Sequence, residues 1–312
     1  MNNMQIVFIQ VLILSIEISV GYILAKKSAL PSDALHILTP LCTKVALPCA
    51  VIQSVSGVNK ALLTWSGIGI GLGLILITTL AQICISSLFF KGEPLPERVA
   101  YQMSCVYGNS AFMGLPLVNA IVGSDAIVYT VMLVIFETVC LFTHCSLYSS
   151  KQKITPRFVI SKLCNSVTLS MILGAILCIS GLKLPSFINA CLNDFKLLLT
   201  PLAMLIVGIQ LAHIDISKVL SCKKYYTIAL IKLILYPLFI IACLLPLRAY
   251  LAPAMICAIV ICKATPQSAV LGPLAEVHNF SGHIVAGIIG LTAALSIITL
   301  PLISIICAGI FL

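Results

Sequence analysis

The sequence predicts an all-α polytopic membrane protein with ten transmembrane helices, built as two inverted repeats of five. Three observations carry this prediction. Of the 312 residues, 61% are hydrophobic and 9% are charged, whereas about a quarter of the residues in a soluble domain are charged. The apolar residues form ten segments long enough to cross a bilayer. Two of these segments, one in each half of the chain, carry the same interruption by proline and glycine.

The composition excludes several classes of protein. A water-soluble globule this rich in apolar residues would expose large apolar patches and aggregate, and disordered, collagen-like and coiled-coil chains have different compositions. The net charge of +9 does not indicate nucleic-acid binding, because basic loops are expected on the cytoplasmic side of any membrane protein. We therefore expect the lipid bilayer as a partner and no nucleic acid.

Ten apolar segments are predicted, and we number them 1 to 10. Segment 1 is not a signal peptide, because it lacks a basic start, is long, and is followed by Lys26 and Lys27. The short loops leave no room for a folded soluble domain. The predicted segments are residues 5–24, 34–55, 61–90, 99–122, 126–149, 166–182, 187–211, 223–246, 251–276 and 282–310.

The basic residues are divided unevenly between the two sets of alternate loops. One set holds eleven Lys and Arg residues and the opposite set holds three. Because loops rich in Lys and Arg stay in the cytoplasm, we expect a multi-pass protein of the cytoplasmic membrane with both termini outside the cytoplasm. The larger set is Lys26, Lys27, Lys91, Arg98, Lys151, Lys153, Arg157, Lys162, Lys218, Lys223 and Lys224, and the smaller set is Lys60, Lys183 and Arg248.

The two halves of the chain resemble each other. Pro116 in segment 4 and Pro273 in segment 9 are 157 positions apart, and Pro48 in segment 2 and Pro201 in segment 7 are 153 apart. Each half has five spans, an odd number, so the second copy must enter the membrane inverted. Inverted repeats with interrupted helices are typical of secondary transporters, which bind their substrate where the repeats meet.

The first repeat is predicted over residues 1–155 and the second over residues 156–312, each with one broken helix. Proline removes a backbone hydrogen bond, and in a membrane the freed groups need protein or a wet cavity. We expect two unwound stretches facing a polar cavity, where the positive end of a half-helix favours an anion. The alternative is ordinary kinks whose polar side chains bond to neighbouring helices. The residues concerned are Asn109, Ser110, Gly114 and Pro116, and Gln267, Ser268, Gly272 and Pro273.

Ionisable residues inside the apolar segments form a second group of candidates, because each is costly to expose to lipid. Lys263, close to the break in segment 9, is the best candidate for attracting a substrate carboxylate, and the alternative is an ion pair with Glu137 or Glu17. Glu137 and Glu17 are candidates for proton or ion coupling, with a structural pairing to a lysine as the alternative. The sequence leaves open the roles of Lys44, Lys232 and Lys263, and it places Lys196 at a shallower position in its apolar segment.

No metal, cofactor or enzyme activity is predicted. The 14 cysteines form no CxxC, whereas a metal site or disulfide framework needs clustered spacing. His278 and His283 have a spacing that suits a metal, but no Cys or carboxylate cluster joins them, and we interpret the histidines as interfacial. The P-loop, HExxH and GxSxG motifs are absent, so an integral membrane enzyme lacks a catalytic set.

Several motifs resemble those of the auxin efflux carrier family, which includes the plant PIN-formed auxin carriers and many bacterial transporters. The run NSAFMGLPL at residues 109–117, followed by Gly123, is similar to the signature of the fourth helix in that family. The resemblance extends over the whole chain. Further similar runs are VALP at residues 45–48, GIQL at 208–211, ATPQ at 264–267 and SIITLP at 296–301.

The resemblance implies a fold in which helices 4 and 9 are broken and cross at their prolines, as in bile-acid sodium symporters and sodium/proton antiporters. It implies a scaffold of helices 1, 2, 6 and 7, which often mediates homodimerisation. The other helices, 3 to 5 and 8 to 10, would form a transport domain that moves as an elevator. The loop after segment 5 has only about 16 residues, so the chain looks like a compact bacterial-type member.

The resemblance also implies site residues. Asn109 matches the substrate-contacting asparagine of the family and Pro116 the crossover proline, while Pro273 fills the latter role in the second half. Gln267 or Ser268 would supply a second polar contact. No position of the family pattern matches Lys263, and no sodium site is evident.

Together, these observations predict a secondary-active or potential-driven transporter of a small organic anion, such as malate, malonate or an auxin-like acid, with elevator-type alternating access. The alternatives are a sodium-coupled organic-anion symporter and a ligand sensor or channel on the same fold. The predicted substrate-binding residues are Asn109, Ser110, Gln267, Ser268 and Lys263, and the predicted crossover residues are Gly114, Pro116, Gly272 and Pro273.

Overall fold

Helices contain 84% of the residues that the computed structural model describes. The described residues are 3–31, 33–57, 64–148, 166–182, 184–212, 219 and 221–312. Helices overlap every one of the ten predicted segments. In chain order they are α1 (Asn3–Lys26), α2 (Ala34–Leu41), α3 (Leu47–Ser56), α4 (Trp65–Leu88), α5 (Leu95–Val106), α6 (Leu115–Ile121), α7 (Ile127–Tyr148), α8 (Ser166–Ser180), α9 (Ser186–Ala212), α10 (Lys223–Leu230), α11 (Tyr236–Leu244), α12 (Pro253–Lys263), α13 (Leu271–Val277) and α14 (Gly282–Phe311).

Several of these helices have the length and apolar composition of membrane spans. Among the described residues, five helical stretches are long and apolar enough to cross a membrane, and there are also shorter apolar helices. Together they indicate a multi-pass membrane protein. The five stretches are Ser66–Leu88, Ser124–Cys145, Ser186–Ile209, Lys223–Leu247 and Gly282–Phe311, and the shorter helices are Ile37–Gln53, Ser110–Ile121, Thr168–Ser180 and Pro253–Lys263. Seven of the loop cations that predict the orientation lie outside the described residues: Lys60, Lys151, Lys153, Arg157, Lys162, Lys183 and Lys218.

Three segments contain a π-helical turn, and each turn ends two residues before a proline. A proline has no N–H, and its ring meets the carbonyl four residues earlier. In each case that carbonyl belongs to the central residue of the π turn, so the widened turn makes room for the ring. Such turns are frequent at functional sites. They are Cys42–Ala46 before Pro48, Ser110–Gly114 before Pro116 and Ile231–Leu235 before Pro237.

The helices of segments 1, 2, 6 and 7 pack against one another, and we call them the first helix group. Helix α1 lies along α9, and α3 contacts both α8 and α9. Gly21 and Gly208 bring α1 and α9 together: a Cβ on Gly21 would collide with the carbonyl oxygen of Leu205, and one on Gly208 with that of Ile18. Small residues at such contacts let membrane helices approach closely.

The helices of segments 3 to 5 and 8 to 10 form the second helix group. Helix α4 contacts α5 and α7, α12 contacts α7 and α14, and α10 contacts α14. The two groups meet where α1 contacts α6 and α14 and where α3 contacts α7. An apolar cavity of about 680 Å³ lies between α3 and α8 on one side and α4 and α7 on the other. This part of the interface between the groups is therefore incompletely filled.

Candidate functional site

The interruptions of segments 4 and 9 lie side by side. The chain leaves the helix after α5 and again after α12, and the two extended stretches pair in antiparallel fashion. The N–H of Asn109 donates to the carbonyl oxygen of Pro266 at 2.8 Å, and the N–H of Ser268 donates to that of Tyr107 at 3.0 Å. Backbone N–H and C=O groups that lose their helical partners at one break thus form hydrogen bonds with the backbone at the other break. In apolar surroundings such groups need a partner within the protein.

Two glycines allow this close approach. A Cβ placed on Gly108 would lie 2.5 Å from Thr265 Oγ1 and 3.3 Å from the carbonyl oxygen of Cys262. One placed on Gly114 would lie 2.9 Å from Cys262 Sγ. Contacts this short force a neighbour to move, so both positions suit glycine because of their tertiary surroundings.

A cavity of about 400 Å³ opens beside the paired stretches. Segments 2, 4, 5, 6 and 9 all contribute to its wall. Most of the lining is apolar, and the polar groups come mainly from the paired stretches and from α7. The polar side chains are those of Thr43, Tyr107, Asn109, Ser110, Glu137, Thr138, Ser166 and Ser268, and the larger apolar ones are those of Leu47, Phe112, Val134, Ile135, Leu141, Phe142 and Val270.

Four residues selected from the sequence line this cavity: Asn109, Ser110, Ser268 and Glu137. Within the part of the chain that the structure describes, the side chains of Asn109 and Ser268 make no hydrogen bond, although both residues are buried. Both are therefore available to a bound molecule. The side chain of Ser110 is already engaged, because it donates to Glu137 Oε2 at 3.0 Å.

The other residues predicted from the sequence are absent from the lining of the cavity. Gln267 is 1% exposed, and its N–H donates to Thr292 Oγ1 of α14 at 3.1 Å. Among the described residues, neither polar atom of the Gln267 side chain has a hydrogen-bond partner. Gly114 ends the π turn before α6, and Gly272 lies in α13. Pro116 lies in α6, Pro273 lies in α13, and Glu17 lies in α1.

Lys263 is fully buried behind the cavity and forms an ion pair with Glu137. Its Nζ lies 2.7 Å from Glu137 Oε1 and also donates to Thr79 Oγ1 at 2.8 Å. The Lys263 and Glu137 side chains are 1% and 7% exposed. The sequence left two possible ion-pair partners for Lys263, Glu137 and Glu17, and in the structure the partner is Glu137. The ammonium group is thus separated from the cavity by the carboxylate.

Polar side chains also cover the end of α5. Lys232 Nζ donates to the carbonyl oxygen of Val106 at 3.4 Å, and Gln82 Nε2 donates to that of Cys105 at 2.9 Å. The last carbonyls of a helix lack partners within it and form the negative end of its dipole. A buried ammonium is therefore well placed at this end. By contrast, the side chain of Lys44 is exposed.

Two aromatic side chains, not predicted from the sequence as site residues, make a contact at the cavity. The hydroxyl of Tyr107 and Nδ1 of His144 are 3.1 Å apart. The positions of both residues in the sequence could have indicated this contact. Tyr107 comes two residues before Asn109, and His144 lies seven residues after Glu137, which places it on the same helix face. Within the described ranges, no cluster of three or more His, Cys, Asp or Glu residues could hold a metal ion.

Comparison with known proteins gives the family. No curated protein shows a significant match to the chain. The family described as "Membrane transport protein" matches it in two stretches, residues 6–154 and 149–304. Members of this family are transporters and not enzymes. Because the match covers nearly the whole chain, this protein belongs to the membrane transport protein family, the family of the auxin efflux carriers.

Proposed function

We propose that this membrane transporter carries a small organic anion, a carboxylate, bound in the cavity beside Asn109. The observation that carries the proposal is the position of the cavity, where the two interrupted segments pair. Substrate sites of secondary transporters with interrupted helices lie at this kind of junction. The amide of Asn109 and the hydroxyl of Ser268 supply donors that have no hydrogen-bond acceptor among the residues that the structure describes.

The end of a helix adds to these donors. The helical stretch Ser110–Ile121 begins at the cavity, and Ser110, Ala111 and Phe112 all line it. The first N–H groups of a helix lack partners within the helix and carry partial positive charge. A carboxylate in the cavity would accept hydrogen bonds from these groups and from Asn109.

The lining of the cavity narrows the substrate class. A volume of about 400 Å³ is at the lower end of the range for ligand pockets. Polar side chains make up the smaller part of the lining, and the rest is apolar, with Phe112 and Phe142 among the lining residues. This favours a monocarboxylate with an apolar body, such as an auxin-like acid, over a dicarboxylate such as malate or malonate, whose second charge would meet apolar side chains.

We propose alternating access by an elevator movement of the two helix groups. The first helix group would be the scaffold, formed by segments 1, 2, 6 and 7, and the second the transport domain. The repeats of residues 1–155 and 156–312 would be inverted, with segments 4 and 9 crossing at their breaks. The groups meet partly across an apolar cavity, and apolar surfaces can move past each other without breaking hydrogen bonds, which supports movement there. Homodimerisation would use the scaffold.

An ion pair supports the proposed orientation. Lys224 Nζ at the start of segment 8 lies 2.7 Å from Glu93 Oε1, which precedes segment 4. The pair brings the loops before these two segments to one side of the protein. Both belong to the set of loops rich in basic residues, which we place in the cytoplasm. Both termini would then lie outside the cytoplasm.

The proposal is tested by counterflow in liposomes that contain the purified protein. Vesicles loaded with an unlabelled acid are diluted into the labelled acid, with indole-3-acetate, benzoate, malate and malonate as the panel. Saturable counterflow of at least one monocarboxylate is expected. A channel or sensor would show no stimulation by substrate on the far side. Replacing sodium by choline tests the sodium-coupled alternative, in which counterflow would fall.

Asn109→Ala is the matched test of the site. A hydrogen bond to a charged group contributes about 1.5–3 kcal/mol, so we expect counterflow to fall about tenfold to a hundredfold. Asn119→Ala is the control, because Asn119 is exposed on α6 in the same helical stretch. Wild-type counterflow in Asn109→Ala protein that is folded and inserted would exclude the proposed site.

A further inference from the structure

The cavity contains an electrostatic conflict for a transporter of anions. Glu137 lines it, and so does Ser110, which donates to Glu137 Oε2 at 3.0 Å. An anion bound to Asn109, next to Ser110, would therefore lie beside the Glu137 carboxylate. Two carboxylates that share a buried site cannot both stay ionised easily, because repulsion and the loss of water favour the protonated form of one.

The ion pair with Lys263 shows how this conflict can be resolved. With the cavity empty, the Lys263 ammonium and the Glu137 carboxylate, 2.7 Å apart, together carry no net charge. Adding a monocarboxylate alone would leave one net negative charge in this site. Adding a monocarboxylate together with one proton would leave the net charge at zero. Buried sites that change their net charge are costly in an apolar environment.

We propose that Glu137 takes up one proton each time a monocarboxylate binds, and that the transporter moves one proton with each anion. The proton comes from the aqueous side that supplies the substrate and bonds to a carboxylate oxygen of Glu137. The Lys263 ammonium keeps its own proton and turns its charge towards the bound anion. On the opposite side of the membrane, substrate and proton both leave, and the ion pair re-forms. This inference rests on the proposed function.

Several other polar and titratable groups surround Glu137. Lys263 faces it from α12, and Thr79 of α4 shares the Lys263 ammonium. Four further groups lie within electrostatic range: Lys232, Tyr236, Cys262 and Cys140. Lys232 offers an alternative to proton uptake by Glu137, because a second ammonium group could balance the charge of the bound anion. Its Nζ, however, is directed at the carbonyl of Val106 at the negative end of α5, which already offsets part of its charge.

The first test uses the wild-type protein. Net uptake of labelled indole-3-acetate into liposomes is measured above protein-free vesicles, first under a pH gradient and then under a potassium diffusion potential set by valinomycin. A gradient of one pH unit, alkaline inside, changes the proton ratio tenfold, which is worth about 1.4 kcal/mol. We expect it to raise the initial rate several-fold, while the imposed potential leaves the rate unchanged. Uptake that follows the potential and ignores the pH gradient would overturn the proposal.

The variant test replaces the proposed proton acceptor. Glu137→Gln cannot exchange a proton, so any remaining net uptake is expected to follow the membrane potential and to lose its response to the pH gradient. Glu17→Gln is the matched comparison, because Glu17 is the other carboxyl suggested for coupling and does not line the cavity. Its uptake should keep the response to pH. A loss of that response in Glu17→Gln with retention in Glu137→Gln would refute the assignment.

The outcomes separate this inference from the proposed function. If no carboxylate shows counterflow in the wild-type protein, the proposed function fails. If counterflow is present and net uptake depends on the membrane potential alone, only the proton coupling fails. Should Glu137→Gln not fold, because it leaves Lys263 buried without a counter-charge, the wild-type measurement still decides between one proton per anion and none.

Discussion

Replacing Gly108 by alanine tests whether the two interrupted stretches must touch for this protein to be stable and active. The added Cβ would lie 2.5 Å from Thr265 Oγ1 and 3.3 Å from the carbonyl oxygen of Cys262. Thr265 is fully buried, and its hydroxyl donates to that same carbonyl at 2.6 Å. The Thr265 side chain therefore cannot rotate away without losing its hydrogen bond.

The expected loss of stability has two parts. Overpacking a filled interior costs about 1–3 kcal/mol, and the hydrogen bond of Thr265 contributes about 0.5–1.5 kcal/mol. Gly108→Ala should thus destabilise the protein by about 1.5–4.5 kcal/mol. Gly73→Ala is the matched control, since a Cβ at Gly73 in α4 meets nothing within 4 Å. There the change should stabilise the helix by about 0.5–1 kcal/mol.

The assay combines thermal unfolding in detergent with counterflow in liposomes. Gly108→Ala should unfold several degrees below the wild type and transport slowly, whereas Gly73→Ala should do neither. Adding Thr265→Ala removes the colliding oxygen, so the double variant should lose less than the sum of the two single changes. Equal stability of Gly108→Ala and Gly73→Ala, or strict additivity with Thr265→Ala, would refute the close contact.

Two further substitutions test packing elsewhere. Gly208→Ala drives a Cβ into the backbone of α1 and should cost about 3 kcal/mol. A Cβ on Gly309 meets no described atom within 4 Å, so Gly309→Ala should not destabilise the protein in the same unfolding assay. Tyr236→Phe removes the donor to the carbonyl oxygen of Thr78 and should cost about 0.5–1.5 kcal/mol. Tyr250, 83% exposed, provides the control; an equal effect of Tyr250→Phe would contradict the buried hydrogen bond.

Local rules account for the part of the fold that was predictable. Apolar runs of membrane length predict helices, and every predicted segment contains one. The broken segments were also predictable, because proline acts on the backbone of its own helix. The effect of proline on the preceding turn also explains the π turn before Pro237. This turn was not among the predictions from the sequence.

The orientation of Gln267 and Ser268 was not predictable from the sequence. Successive side chains of an extended stretch point to opposite sides, so one neighbour faces the cavity and the other does not. Ser268 lines the cavity, while Gln267 is buried with its N–H bonded to Thr292. The pairing of this stretch with Gly108 fixes the choice, and that pairing joins residues from different halves of the chain.

The sequence by itself determined that this is a helical membrane protein with an interrupted segment in each half, because apolar content and proline geometry act within about 20 residues. Only the tertiary structure decided that Lys263 pairs with Glu137, 126 positions away, and that the carboxylate, not the ammonium, lines the cavity. Such partners are set by helix packing, since several lysines and two carboxylates within apolar segments were equally compatible with the spacing along the chain.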